Sequence, residues 1–330
     1  MDARAAAGNR RGLLRIQSGT MSSPLRIGIV EVGPRDGLQN EAAAVSTAVK
    51  VEFVRRAVDA GIRRIEVASF VNPRRVPQMA DAEAVMRAVP QRDDVSYIGL
   101  VLNRAGFDRA AAAGCREIGM VVFTTDEFNR RNQGVACAES IRIWREIAAA
   151  AHAAGIRAQV TISGAFGCPF EGEVAPERVV AIARELADGA PFEIAIADTI
   201  GVGVPGQVTD VFGRVGQALP GMTLRGHFHN TRNTGIANAY AAVTAGARVL
   251  DASLGGLGGC PFAPAATGNI PTEDLLYMLG RMGIETGVDL GRAIETARWI
   301  EQHVGHAVPG MLVKAGDFPL ARASAARAVN

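Results

Sequence analysis

A charged turn follows the first apolar segment of the chain. Residues 27–32 have the composition of a buried strand, and Gly33 and Pro34 end it. Arg35 and Asp36 come directly afterwards. A cation and a carboxylate at the mouth of a buried strand are costly to remove from water, so they need a partner such as a metal ion or an anionic substrate. We expect both partners here; the alternative is a surface ion pair at a strand end.

A second stretch contains two histidines. His227 and His229 are two residues apart at the end of a predicted strand, so their side chains lie on the same side. If they face inward, they present two imidazoles to one point, which suits a divalent cation. A lone histidine is more often a core residue with its hydrogen bonds satisfied, but two at this spacing at a strand end favour a metal site.

A glycine-rich stretch at residues 255–261 and the segment 267–270 complete the set. Glycine at this density either cradles an anion or forms a loop that folds over a substrate. Cys260 is a candidate mobile proton donor, or else an inert loop cysteine. Asn269 offers an amide oxygen. With Asp36, His227 and His229 it makes a mixed nitrogen and oxygen ligand set that suits Mg²⁺ or Mn²⁺ better than Zn²⁺.

Composition excludes several classes of protein. Lysine occurs only at Lys50, in a predicted helix, and at Lys314, near the C-terminus, so a Schiff-base mechanism is disfavoured and carbon–carbon bond chemistry would need a metal. The net charge of +2 implies neither nucleic acid nor an anionic membrane surface as a partner. No apolar run is long enough to span a membrane. The four scattered cysteines do not form a disulfide framework, so we expect a cytoplasmic protein.

Periodicity divides the chain into alternating strands and helices. We predict strands over residues 25–32, 64–68, 95–101, 117–123, 157–162, 192–197, 223–228 and 248–253. We predict helices over residues 46–60, 80–88, 104–113, 138–154, 176–187, 206–218, 235–245 and 272–282. Eight such units favour a closed (β/α)₈ TIM barrel, and no dinucleotide-binding glycine fingerprint supports an open sheet. A further helical segment, 291–306, is expected to pack across the barrel end.

We divide the chain into a disordered leader (1–24), a catalytic barrel (25–306) and a tail (307–330). The leader is rich in Ala and Arg and superficially like an organelle transit peptide; Met21 is an alternative start.

In a barrel, functional groups gather at the C-terminal ends of the strands. Polar residues stand at those predicted ends: Arg35, Asp36, Ser69, Asn103, Ser163, Asp198, Thr199, His227 and His229. Glu66 lies within the second strand, where an unpaired carboxylate is expensive.

Several motifs resemble the 3-hydroxy-3-methylglutaryl-CoA lyase family. They are Glu31-Val-Gly-Pro-Arg-Asp-Gly-Leu-Gln-Asn-Glu41, Glu66-Val-Ala-Ser-Phe70, Val76-Pro-Gln-Met-Ala-Asp81, Gly167-Cys-Pro-Phe-Glu-Gly172, Asp198-Thr-Ile-Gly-Val-Gly203, Gly255-Gly-Leu-Gly-Gly-Cys-Pro261, Gly268-Asn269 and Thr272-Glu-Asp-Leu-Leu-Tyr-Met278. The resemblance covers about residues 26 to 290. The wider group comprises metal-dependent barrels that make or break carbon–carbon bonds by Claisen chemistry. Leu38 and the Cys260 loop resemble the lyases, because the synthases usually carry an acidic residue at the leucine position.

The resemblance implies retro-Claisen cleavage of a 3-hydroxyacyl-CoA, most simply of 3-hydroxy-3-methylglutaryl-CoA to acetyl-CoA and acetoacetate. A cation held by Asp36, His227, His229 and Asn269 would make the substrate hydroxyl more acidic. Arg35 would stabilise the negative charge that develops on the thioester oxygen. Asp36 or His227 would handle the hydroxyl proton, and Cys260 would protonate the enolate carbon.

Other positions match residues that line or support the family's site: Gln39, Glu66, Ser69, Asp198, Thr199 and Glu273. Arg130, Arg131 and Asn132 are candidates for the CoA phosphates, with a solvated basic loop as the equal alternative. The chain departs from the family after the histidine pair, where Asn230 and Arg232 replace an acidic and an aromatic residue, and at Ala195, which is commonly serine. We therefore hypothesise that Arg232 alters recognition of the acyl end, in favour of citramalyl-CoA or a longer 3-alkyl-3-hydroxyglutaryl-CoA.

Two other interpretations of the function stay open. The first is a condensing synthase of the same group, and the second is a non-catalytic barrel that binds an acyl-CoA. The combination of Arg35, Asp36, both histidines and Cys260 argues against pure binding, which needs no proton donor. We expect a small-molecule acyl-CoA as substrate and a homo-oligomer as the assembly.

Overall fold

Eight parallel strands form a closed barrel in the order of the sequence, with the last strand paired to the first. The computed structural model describes residues 24–42, 44–259 and 268–318. The strands are β1 (Gly28–Glu31), β2 (Arg64–Ser69), β3 (Ser96–Leu100), β4 (Glu117–Phe123), β5 (Arg157–Ser163), β6 (Glu193–Asp198), β7 (Thr223–Phe228) and β8 (Val249–Ala252). The prediction of a (β/α)₈ TIM barrel with additional C-terminal helices is confirmed.

Helices surround the barrel and connect the strands. They are α1 (Thr47–Asp59), α2 (Ala82–Ala88), α3 (Arg104–Ala112), α4 (Asp126–Gln133), α5 (Cys137–Ala153), α6 (Pro176–Ala187), α7 (Pro205–Ala218), α8 (Gly235–Thr244), α9 (Thr272–Arg281), α10 (Leu290–Val304) and α11 (Met311–Ala315). Each apolar helix face packs against the barrel. Phe53 of α1 and Phe212 of α7 are completely buried, and each such side chain stabilises the fold by about 1.5–3 kcal/mol.

The connection between β4 and β5 contains two helices, whereas the sequence pattern predicted one over residues 138–154. The additional helix, α4, is held by pairs of opposite charge four residues apart, Asp126 with Arg130 and Glu127 with Arg131. Its only apolar side chain is Phe128, which is why a pattern based on apolar residues missed it. Gly134, in the left-handed conformation with φ of 83°, ends α4 before α5 begins.

The barrel interior contains a layer of charged side chains where branched aliphatic residues are usual. Arg64 of β2 pairs with Glu117 of β4 at 2.6 Å and with Glu193 of β6 at 3.0 Å. Arg225 of β7 pairs with the same Glu193 at 3.0 Å. Both carboxylates and Arg225 are almost completely buried. Such a network is stable only while each charge keeps its partner, because a single unpaired buried charge is very costly.

The C-terminal helices complete the outer ring. The segment predicted over 291–306 is α10, which packs against α1, α9 and the turn at Leu254–Gly256. The described part of the predicted tail includes α11, whose first two N–H groups, those of Met311 and Leu312, donate to the Asp274 carboxylate at 2.9 and 2.8 Å. Among the described residues, no helix combines the length and the apolar character needed to cross a bilayer.

Candidate active site

The Arg35–Asp36 turn is a single wide helical turn, Gly33–Gly37, at the C-terminal end of β1. The N–H groups of Asp36 and Gly37 both donate to the Val32 carbonyl, at 2.7 and 3.2 Å. A Cβ at Gly33 would lie 2.5 Å from Glu31 Oε1, so only glycine fits there. This close approach lets the Gly33 N–H donate to that oxygen at 2.9 Å. The turn is therefore locked in shape before any ligand binds.

Three side chains that could hold a metal ion meet at the mouth of the barrel. Asp36 from this turn and the two histidines, His227 and His229, place their ligand atoms within 4.8 Å of one another. The imidazole centroids are 5.2 Å apart, and His229 Nε2 lies 3.9 Å from Asp36 Oδ2. His227 lies on β7 and His229 lies directly after its end, in a β-bridge with Asn269. Alternate residues of extended backbone share a face, which accounts for the meeting of the two rings.

Asn269 joins this cluster through the segment that follows the glycine loop. The Asn230 N–H donates to the Gly268 carbonyl at 2.9 Å, which aligns that segment with the end of β7. The Asn269 amide nitrogen donates to Asp36 Oδ2 at 2.8 Å, while its oxygen is buried without a hydrogen-bond partner. A buried amide oxygen left in this way suits a cation ligand.

The glycines of this loop allow its two ends to pass in contact. A Cβ at Gly268 would overlap the Gly258 carbonyl oxygen, and one at Gly258, whose φ is +118°, would lie 2.7 Å from the Asn269 amide nitrogen. Larger residues would push Asn269 away from Asp36. Close packing of the chain therefore explains these glycines.

The electrostatics of the cluster favour cation binding. Burial opposes ionisation of Asp36, but Arg35 and the two imidazoles outweigh it and hold its pKa well below the ordinary range. Burial and the neighbouring His227 lower the pKa of His229 to about 4. At neutral pH Asp36 is therefore ionised and His229 is uncharged, the forms in which these side chains bind metals. Burial opposes ionisation of His227, but Asp251 outweighs it and raises the pKa of that ring.

Arg35 is oriented by two carboxylates. Its Nε donates to Glu66 Oε1 at 2.5 Å, and its Nη1 donates to Asp36 Oδ1 at 2.6 Å. Glu66 is thus paired, as a carboxylate within a strand must be. Among the described contacts, Nη2 of Arg35 makes no hydrogen bond. The guanidinium faces a cleft of about 680 Å³ with one nitrogen still able to donate.

Most of the predicted site residues line this cleft. They are Arg35, Asp36, Gln39, Glu66, Ser69, Asn103, Arg131, Asn132, Ser163, Thr199, His227 and His229. Buried oxygens of Gln39 and Ser69 have no hydrogen-bond partner and are available to a ligand. Arg131 and Asn132 belong to α4, and Arg131 stacks on Phe170 with its guanidinium carbon 4.3 Å from the ring centroid.

Other predicted site residues lie outside the cleft. Arg130 is exposed beside Asp126. The Asp198 carboxylate accepts from the N–H groups of Val202 and Gly203 at 2.9 Å each, and so braces the loop after β6. Glu273 accepts from the Gly255 N–H at 3.0 Å, behind the glycine loop.

Arg232 lies apart from the cleft. Arg232 donates to the carbonyls of Ile200 and Gly201 at 3.1 and 2.9 Å, and lines a separate hollow of about 280 Å³ on the other side of Asn269. Cys260 lies outside the described residues. Its neighbour Gly259 lines the cleft.

Sequence reasoning missed the polar floor of the cleft, which includes Asp251, Arg225, Gln159 and Thr161. His227 Nδ1 lies 3.0 Å from Asp251 Oδ2. Burial opposes ionisation of Asp251, but Arg225 and His227 together outweigh it and lower the pKa of Asp251. The sequence did contain a signal for Asp251. This carboxylate lies inside the apolar segment 248–253, where leaving it unpaired costs free energy for the same reason as at Glu66.

Fold and site together define a (β/α)₈ barrel with a cluster that could hold a metal ion at its C-terminal mouth, the position of the active site in barrel enzymes. The HMGL-like family model matches residues 26–300, and the chain belongs to this metal-dependent family. The protein is therefore a lyase.

Curated relatives carry two related activities in their names. The chain is 44% identical to (R)-citramalyl-CoA lyase of Chloroflexus aurantiacus over 298 residues, covering 87% of this chain and 94% of the relative. It is 44% identical to hydroxymethylglutaryl-CoA lyase of Pseudomonas mevalonii over 279 residues, covering 84% and 93%. A solved HMG-CoA lyase from Acinetobacter baumannii, in complex with coenzyme A and 3-methylmalate, superposes with a TM-score of 0.86 at 37% identity, covering 89% of this chain and 96% of that one.

Proposed function

We propose that this lyase cleaves 3-hydroxy-3-methylglutaryl-CoA to acetyl-CoA and acetoacetate by a cation-dependent retro-Claisen reaction. The observation that carries this proposal is the convergence of Asp36, His227 and His229 within 4.8 Å, beside the oriented guanidinium of Arg35. Identity of 44% to a hydroxymethylglutaryl-CoA lyase supports the choice of substrate.

Asp36, His227, His229 and Asn269 would hold the cation, and their nitrogen and oxygen atoms suit Mg²⁺ or Mn²⁺. The unpartnered, buried oxygen of Asn269 fits this assignment. When bound, the cation supplies positive charge that makes the substrate hydroxyl more acidic. Asp36 takes the hydroxyl proton, because Asp251 engages one ring nitrogen of His227 and the other would hold the cation. The carbon–carbon bond breaks, and its electron pair remains on the acetyl-CoA enolate.

Arg35 faces the charge that develops during this step. Because Glu66 and Asp36 fix its Nε and Nη1, its Nη2 can donate to the thioester oxygen without further rearrangement. A preorganised donor of this kind stabilises the enolate more than the ground state.

Cys260 then delivers a proton to the enolate carbon. Its neighbour Gly259 supports that role, because the Gly259 carbonyl accepts from Asn40 Nδ2 at 3.0 Å at the edge of the cleft.

The phosphates of coenzyme A are proposed to bind beside α4. Arg131 and Asn132 line the cleft there, and the ion pair of Arg131 with Glu127, at 2.6 Å, holds the guanidinium at the entrance. The coenzyme A complex of the similar lyase supports a CoA thioester as substrate. Arg130 points to Asp126 and has a smaller part in this proposal.

Citramalyl-CoA is the second candidate substrate, since identity to the (R)-citramalyl-CoA lyase is also 44%. The influence of Arg232 on recognition of the acyl end stays a prediction. It would act indirectly, through the loop at Ile200 and Gly201 to which it donates.

The test is release of the keto acid from purified enzyme, with added Mg²⁺ and with EDTA. Cation-dependent formation of acetoacetate supports the proposal. Steady-state kinetics on methylglutaryl-CoA, citramalyl-CoA and longer 3-alkyl-3-hydroxyglutaryl thioesters rank the substrates. Condensation without cleavage would indicate a synthase, and binding without turnover would indicate a non-catalytic barrel.

Two further expectations belong to this proposal. A cytoplasmic location agrees with Cys115, Cys137 and Cys168, which are buried and free. A homo-oligomer stays a prediction that light scattering on the purified protein would test.

A further inference from the structure

A carboxylate bridges the cation cluster and the charged interior of the barrel. Arg225 and His227 are two residues apart on β7, and Asp251 lies on the neighbouring strand β8. Asp251 Oδ2 lies 3.0 Å from His227 Nδ1, and Asp251 Oδ1 lies 3.3 Å from Arg225 Nε. Only 4% of Asp251 is exposed. Each oxygen of this carboxylate therefore has its own fixed neighbour.

This contact decides which nitrogen of His227 carries the hydrogen. An ionised carboxylate accepts hydrogen bonds and cannot donate one. His227 Nδ1 must therefore donate to Asp251, which leaves the lone pair of Nε2 for a cation. The ring cannot reverse these roles while Asp251 is ionised and in place.

Arg225 keeps Asp251 in place by charge attraction, because Arg225 is itself anchored by a hydrogen bond to Gln159 and an ion pair with Glu193. Its Nη2 donates to Gln159 Oε1 at 2.6 Å, its Nη1 pairs with Glu193 at 3.0 Å, and its Nε faces Asp251. Arg225 is only 2% exposed and lies on a barrel strand. The orientation of the imidazole is thus set by rigid elements of the barrel.

We propose that Asp251, supported by Arg225, is a positioning residue that fixes His227 in the Nδ1–H tautomer and thereby sets the affinity of the site for a divalent cation. The inference rests on the proposed cation-dependent function and deepens it. Hydrogen-bond partners of metal-bound histidines typically change metal affinity by about 10–100-fold when they are removed.

The test replaces Asp251 with asparagine in the full chain. The side chain of Asp251→Asn has one acceptor, which Arg225 will attract, so the amide N–H₂ faces His227 Nδ1. The imidazole must then accept at Nδ1 and carry its hydrogen on Nε2, the tautomer that cannot bind the cation. We expect the Kd for Mn²⁺, measured from free Mn²⁺ by electron paramagnetic resonance, to rise by about 10–100-fold.

Glu117→Gln is the matched control. Glu117 is a completely buried carboxylate of the same barrel, and it binds Arg64, Ser96 and Arg157 without touching the cluster. Its substitution should leave the Mn²⁺ affinity within twofold of wild type. An equal loss of affinity in both variants would overturn the proposal, because the effect would then be a general loosening of the barrel.

A second measurement uses the wild-type protein, so it does not depend on whether a variant folds. Nitrogen-15 NMR of histidine-labelled wild-type enzyme saturated with Mg²⁺ should show His227 with its hydrogen on Nδ1. Finding it on Nε2 would overturn the inference, as would Mn²⁺ affinity in Asp251→Asn equal to wild type. Absence of Mn²⁺ binding by the wild-type protein would instead refute the proposed function itself, so the two failures are distinguishable.

Discussion

Replacing Glu31 with glutamine would remove a buried charge with almost no change in shape. Glu31 is completely buried, and its carboxyl group joins three segments: it accepts from the N–H groups of Gly33 and Leu254 at 2.9 Å each and from Thr272 Oγ1 at 2.7 Å. Both N–H groups donate to the same oxygen, Oε1. Glutamine keeps that oxygen, and its N–H₂ can donate to the threonine hydroxyl. All three contacts therefore survive in Glu31→Gln.

The expected effect lies in the pH dependence of stability. Burial, partly offset by these hydrogen bonds, raises the pKa of Glu31 from 4.5 to about 7. Between these values the unfolded chain releases the proton while the folded chain keeps it, so stability falls as the pH rises from 4.5 to about 7. At about 1.36 kcal/mol for each pH unit, this interval corresponds to about 3 kcal/mol. Glutamine cannot ionise, so the variant lacks this loss.

Urea unfolding at pH 5 and pH 8 measures the difference. We expect wild type to lose about 3 kcal/mol more than Glu31→Gln between the two values. Glu139→Gln is the control, because Arg142 lowers the pKa of the half-buried Glu139 below this pH window, so both folded and unfolded states stay ionised. Parallel losses in wild type and Glu31→Gln would refute the reasoning, since the buried carboxyl would then ionise as easily as in the unfolded chain.

The remaining predictions concern turnover. Asp36→Ala or His227→Ala should abolish cleavage and Mn²⁺ binding while the circular dichroism spectrum stays that of wild type; normal activity in either variant would contradict the metal site. Cys260→Ala should lower kcat by about 100-fold or more, as loss of a general acid does, whereas Cys137→Ala should not; equal kcat values would exclude Cys260 as the donor. Arg131→Gln should raise KM for the CoA thioester about tenfold, since a charged hydrogen bond contributes about 1.5–3 kcal/mol, and should leave KM for the pantetheine thioester unchanged. An equal rise with both thioesters would rule out a phosphate contact.

The sequence alone was sufficient to predict the barrel and most of the lining of its mouth. Apolar segments bounded by turn residues marked all eight strands, because buried parallel strands need continuous apolar composition. Strand ends converge in a closed barrel, so polar residues that follow different strands were expected to meet. Ser69, Ser163 and Thr199 illustrate this, as all three line the cleft.

Only the tertiary structure determined the partners of these groups. The sequence does not show that Asp251 faces His227, 24 residues away, or that Arg225 and Glu193 continue the contact into the barrel. Register decides such contacts, because a shift of one residue would turn a side chain to the opposite face of the strand. Arg232 shows the same limit, since its backbone contacts direct it away from the cleft.

The physical reason is the range of the interactions. Apolar periodicity and turn chemistry act between near neighbours in the chain, so the sequence by itself determined the elements and their order. The ionisation of Asp36 and the hydrogen position on His227 depend on charges and acceptors brought close by the fold. The barrel therefore decided the electrostatics of the site, although the residues that provide them can be read directly from the chain.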